Sequence, residues 1–68
     1  MGEVEIKNKI LNYIKNLTTG ISCEQLINVV MDDFEDNPFN RKEIRAIIIT
    51  LINHPHIEMK FGYIYWRE

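Results

Sequence analysis

Asn40, Arg41, Lys42 and Arg45 cluster at the start of one predicted helical segment, and their chemistry is that of a nucleic-acid contact. Guanidinium groups pair with phosphate oxygens and can grip a guanine edge at two points, while lysine and asparagine reach backbone or base edges singly. The plain alternative is that Arg41 and Arg45 form a spaced, solvated pair that keeps the surface wetted. Farther along the same outward row come Ile49 and Asn53. An apolar side chain contributes to reading DNA only where a thymine methyl lies opposite it. Ringed by Arg45, Ala46 and Asn53, Ile49 also has the make-up of a protein interface, with an apolar centre and a polar rim. It is equally consistent with a boundary residue of the core. Near the C-terminus, Lys60, Tyr63 and Tyr65 offer one cation and two hydroxyl groups to a nucleic-acid backbone, or else simply stabilise a strand pair.

Other constellations carry less chemistry. Asp32, Asp33, Glu35 and Asp36 immediately precede the basic helix and would repel phosphates within about a Debye length unless the turn swings away. They lack the alternating acidic spacing, the glycine and the distant bidentate glutamate of a calcium loop, so a solvated turn is the better reading. His54-Pro-His56 sets two imidazoles two residues apart without a third ligand at metal-site spacing, and His54 is better read as a cap on the end of the preceding helix. Ser22 is the only serine and is used as a helix cap. Without a nucleophile paired to a base, a glycine-rich phosphate loop or a nucleophile elbow, the sequence predicts no enzyme, no cofactor and no metal.

The elements that must position these residues are legible from periodicity and caps. Ile6, Ile10, Tyr13, Ile14 and Leu17 make the apolar stripe of a first helix over about 3–17, with Val4 and Leu11 off the stripe as candidate dimer contacts. Thr18-Thr-Gly20 breaks it, and Ile21 can form a very short strand. Ser22 with Gln25 makes a capping box, with Ile21 and Leu26 as its hydrophobic staple; helix 2 follows with Cys23, Leu26, Ile27, Val30 and Phe34 inward. The same signature recurs before helix 3, with Asn40 and Glu43 as the box and Phe39 and Ile44 as the staple. There Ile44, Ile47, Ile48, Leu51 and Ile52 point inward, and Lys42, Arg45, Ala46, Ile49 and Asn53 outward. The β-branched run Ile47-Ile-Ile-Thr50 would also suit a buried strand, but the caps and the length favour a helix. The final segment alternates as a hairpin turning at Phe61-Gly62, which sets Met59 against Ile64 and Ile57 against Trp66 on the core face. Glu58, Lys60, Tyr63 and Tyr65 take the other face.

A chain of 68 residues with 46% hydrophobic content suits a single domain over residues 1–68, one able to bury only about 60% of its unfolded surface. The longest apolar run is far short of the ~20 residues of a membrane helix, and the first residues lack a secretory pattern. Cys23 stands alone, so no internal disulfide forms, and an intracellular, cytoplasmic protein is expected. The net charge of −2 conceals a division. Residues 1–39 hold three lysines against seven acids, or −4, and residues 40–68 hold five cations against three acids, or +2.

Together these features predict an α+β, mostly α fold: a winged helix-turn-helix of three helices followed by a C-terminal β-hairpin wing. Ile21-Ser-Cys-Glu-Gln-Leu26, the charged third helix, Leu51-Ile-Asn-His-Pro-His-Ile57 and the late Trp66 resemble the HARE-type winged-helix domains. That family includes the amino-terminal domain of the delta subunit of bacterial RNA polymerase. His56 departs from the arginine common just after the proline there. The resemblance implies a role in transcription or chromatin, through DNA in some members and through a protein such as RNA polymerase in others. The favoured expectation is a transcription regulator that binds duplex DNA through helix 3 and the wing, using Asn40, Arg41, Lys42, Arg45, Ile49, Asn53, Lys60, Tyr63 and Tyr65, as a homodimer if it discriminates operators. The rival is an acidic module that binds RNA polymerase or another protein through Ile49 and the wing aromatics, without touching DNA.

Overall fold

The computed structural model describes residues 2–68, which form α1 (Glu3–Lys15), β1 (Ile21–Ser22), α2 (Cys23–Asp33), α3 (Arg41–Leu51), β2 (Ile57–Lys60) and β3 (Tyr63–Trp66). Three helices and a small antiparallel sheet of order β1-β3-β2 give the α+β layout of a winged helix-turn-helix. Among the described residues no helix is long and apolar enough to cross a membrane.

Both capping boxes close. The Ser22 hydroxyl accepts from the Gln25 amide, whose side chain accepts from the Ser22 backbone; Asn40 and Glu43 reciprocate in the same way. Each box satisfies donors that a helix start would otherwise leave open, which fixes where α2 and α3 begin. The first helix stops two residues short of Leu17. The Asn16 side chain and backbone N–H both donate to the Asn12 carbonyl, and Leu17 closes a tighter turn onto Ile14. Leu17 leaves the helix but stays packed on the core.

The core is aliphatic. Ile6, Ile10 and Ile14 of α1 meet Leu26, Ile27 and Val30 of α2, Ile44, Ile47, Ile48 and Leu51 of α3, and Ile21, Ile57 and Ile64 of the sheet. Among the described residues no polar or charged side chain is buried with them. With apolar burial the dominant favourable term and no buried hydrogen-bond network to support it, shape matching among these branched side chains sets the stability. Cys23, Tyr13, Phe34, Phe39 and Trp66 seal the edges.

The hairpin pairs in the expected register, Ile57 opposite Trp66 and Met59 opposite Ile64. One side chain breaks the expected division of faces. Met59 is 43% exposed, because it lies next to the turn on the outer strand β2, whereas the sheet packs on α1 through β3. Tyr65 departs in the opposite sense. Its ring lies so close over Gly20 that a methyl group there would stand 2.6 Å from it, so this tyrosine covers backbone and is only partly available to a partner.

The turn itself is strained. Phe61 (φ 53°) and Gly62 (φ 79°) both occupy the left-handed region that a two-residue hairpin loop requires, and Phe61 is 89% exposed. A bulky side chain in this region costs roughly 1–2 kcal/mol, which asparagine or glycine largely avoids. Phe61→Asn should therefore raise stability by about 1 kcal/mol in chemical denaturation; a loss of stability would show that the ring is holding the hairpin. Gly20→Ala should destabilise by about 1–3 kcal/mol through overpacking against Tyr65. A double-mutant cycle with Tyr65→Ala should return a clear coupling between the two positions; simple additivity would refute the close approach.

Candidate functional site

The expected contact residues divide between two patches. α3 carries Arg41, Lys42, Arg45, Ile49 and, just beyond its end, Asn53, all exposed; the hairpin carries Lys60, Tyr63 and Tyr65. α3 packs on α1 and α2, and the hairpin packs on α1 through β3, so α1 is the main bridge that fixes one patch relative to the other. Asn40 is partly used locally: its side-chain oxygen accepts from the Glu43 amide at 2.8 Å, which makes it a cap and leaves its side-chain NH2 as the group it can offer a partner. Ile49 is 55% exposed between Arg45 and Asn53 on the outward row.

Sequence reading missed Glu24. Its carboxylate, on the first turn of α2, ion-pairs with both Arg41 and Arg45, and Arg41 also donates to the Asn28 side-chain oxygen at 2.7 Å. Arg41 and Arg45 are one turn apart on α3, so both guanidinium groups fall within reach of a single acid on the neighbouring helix. The consequence is electrostatic. Two of the three helix cations are neutralised and held side by side, and among the described residues Lys42 has no ion-pair partner. The clamp is open to solvent, with each partner about half exposed, so each pair contributes on the order of 0–1 kcal/mol and is readily exchanged for another anion.

Cys23 sits beside this clamp, half-buried at the start of α2. Burial raises its thiol pKa above the ordinary value; Arg45 pulls it down and Glu24 pushes it up. The neutral thiol is therefore the resting form. A raised folded-state pKa gives a stability contribution that is complete below the unfolded pKa and is lost as pH climbs through the folded one.

Three of the four acids of the turn share one location, and Asp32 is not among them. Asp33, Glu35 and Asp36 line an open groove against the C-terminal half of α1. At the base of the wing, His56 stacks on Trp66 with ring centroids 4.9 Å apart, and the Lys15 ammonium lies 5.9 Å from the same indole. His54 does not cap α3 through its ring, as the sequence suggested. Its Nδ1 accepts from the His56 backbone N–H at 3.1 Å, so the imidazole shapes the turn into β2. Among the described residues, no three His, Cys, Asp or Glu side chains converge as a metal site requires. Val4 remains exposed on α1, whereas Leu11 packs partly against the core.

Compared with protein-family models, with curated proteins and with solved structures, the chain gives no match. The site therefore rests on its own geometry.

Glu24→Gln should change global stability by less than about 1 kcal/mol, because the pairs it breaks are exposed. It should also speed alkylation of Cys23 by iodoacetamide at fixed pH, since the anion that disfavours the thiolate is gone. Slower alkylation would place Glu24 elsewhere.

Proposed function

We propose that this protein is a small intracellular, cytoplasmic winged-helix regulator of transcription that binds duplex DNA through α3 and the wing. One observation carries the proposal: Arg41, Lys42 and Arg45 stand exposed on one stretch of α3, the two arginines held only by a solvent-open pair to Glu24, while Asp33, Glu35 and Asp36 line a groove against α1. Arg41, Lys42 and Arg45 supply phosphate or guanine contacts, Asn53 a polar contact, and Lys60 with Tyr63 a second anchor on the backbone. The exposed clamp holds both guanidinium groups in place until phosphates replace Glu24, an exchange of one anion for another at small cost. The resemblance to HARE-type winged-helix domains supports a role in transcription. A module this small buries too little surface for tight operator discrimination, which favours a homodimer on DNA.

A second reading, a module that binds RNA polymerase or another transcription protein without DNA, is favoured by the exposed apolar side chains on α3 and the hairpin. Ile49, Met59, Phe61 and Tyr63 all face solvent, and Phe61 is held in a strained turn where a smaller residue would fit better. A sequence that breaks a local rule on its surface is expected at a contact site.

Fluorescence anisotropy with a labelled duplex at about 50 and 200 mM salt separates the two. Wild type should bind at low salt and weaken steeply as salt rises. Arg41→Ala/Arg45→Ala should weaken binding and lower the log–log salt slope by about 2, one for each phosphate that is no longer neutralised. Glu24→Gln should tighten it. Absence of binding at low salt would eliminate the DNA reading, and normal binding by the double variant would clear α3 of the role. Loss of a co-purifying partner by Ile49→Asp would support the second reading.

A further inference from the structure

The face of the molecule on which the acidic turn lies carries an open groove of about 580 Å³ between the C-terminal half of α1 and the turn that follows α2. Its apolar wall is Tyr13, Leu17 and Phe34, half-buried, with Tyr13 and Phe34 in edge-to-face contact at 6.5 Å. Asp33, Glu35 and Asp36 line the same groove. None of these three carboxylates has an ion-pair partner among the described residues.

The helix ends add to that field. α1 ends at Lys15 and α2 at Asp33, and their C-capping residues Asn16 and Phe34 both line the groove, so the partial negative charge of two helix C-termini lies at it. Carboxylates at a helix C-terminus are normally unfavourable, yet α2 ends in Asp32-Asp33 with no basic residue in its last turn. Lys15, the basic residue that ends α1, lies over Trp66 instead of in the groove. Among the described residues, Lys9 is the single cation lining it. Concentrated negative potential beside an unfilled apolar wall complements one chemistry: a positively charged chain that also carries an aliphatic anchor.

We propose that this groove is a second docking surface, one that takes a short basic segment of a partner protein with a leucine-sized side chain seated against Tyr13, Leu17 and Phe34 and flanking lysine or arginine against Asp33, Glu35 and Asp36. The groove lies apart from the α3 row and the wing, so the module joins a basic partner on one face to whatever α3 holds on another. The acids that oppose nucleic acid in the linear sequence become, in this arrangement, the recognition element of a separate site.

The test uses the full chain and three synthetic probes: a peptide alternating lysine and leucine, a peptide with glycine in place of each leucine, and one with serine in place of each lysine. Binding is followed by amide chemical-shift mapping and calorimetry. The lysine-leucine peptide should bind with shifts centred on residues 9–17 and 33–36, and more weakly at higher salt. Each control should bind at least about tenfold more weakly, because each lacks half of the complementarity. Glu35→Lys/Asp36→Lys, two exposed positions outside the core, should abolish this binding while leaving the fold intact by circular dichroism. Failure of the lysine-leucine peptide to bind, equal binding of the glycine control, shifts on α3 instead, or indifference to the double variant would each overturn the proposal. So would concentration-dependent self-association mapped to the groove, which would make a second copy the occupant. Duplex binding by the same double variant, unchanged or stronger, keeps this outcome separate from that for α3.

Discussion

Ile64 is the residue on which the rest of the molecule closes. It stands on the central strand, opposite Ile21 on one side and Met59 on the other, and its side chain is buried in the cluster built by all three helices. A chain this short cannot spread its stability over several layers, so the sheet must be sealed and the helices tied together through the same few side chains. β1, only two residues long, leads directly into the Ser22 cap of α2. The pairing of Ile21 with Ile64 thereby sets the start of the second helix, and through it the position of Glu24 relative to α3.

Much of this was legible in the sequence because it is local. Ser22 with Gln25 and Asn40 with Glu43 declare the helix starts within four residues, and Phe61-Gly62 fixes the hairpin register because any odd slip would reverse its faces. A few departures are local, such as the early end of α1, capped by Asn16, and the role of the His54 ring, but those that shape the site are non-local. Glu24 meets Arg41 and Arg45 across 17 and 21 residues, a distance at which residue types carry no pairing signal. Met59 obeys the alternation, yet it stands on the outer strand near the turn, where it stays partly exposed. Tyr65 lies over Gly20 only because β3 sits between β1 and β2, an order that hydropathy does not encode. The candidate site shares this division: its cations were visible on one helical row, but their neutralisation and the groove beside α1 exist only once the helices are assembled.

The fold also sorts charge. Four of the seven acids in residues 1–39 are parted in space, Glu24 into the clamp beside α3 and Asp33, Glu35 and Asp36 into a cluster beside α1, which gives two surfaces of different character. With no charged side chain in the buried core among the described residues, the surface charges are adjustable without disturbing the aliphatic interior.

The strand order has one more effect. With β3 in the middle, both outer strands present an open edge, but β1 is two residues long and β2 only four, with Glu58 and Lys60 standing on it. Short, charged borders are poor templates for another extended chain. Backbone-to-backbone recruitment of a further strand is disfavoured at both borders, which shifts the choice of partner toward side-chain chemistry.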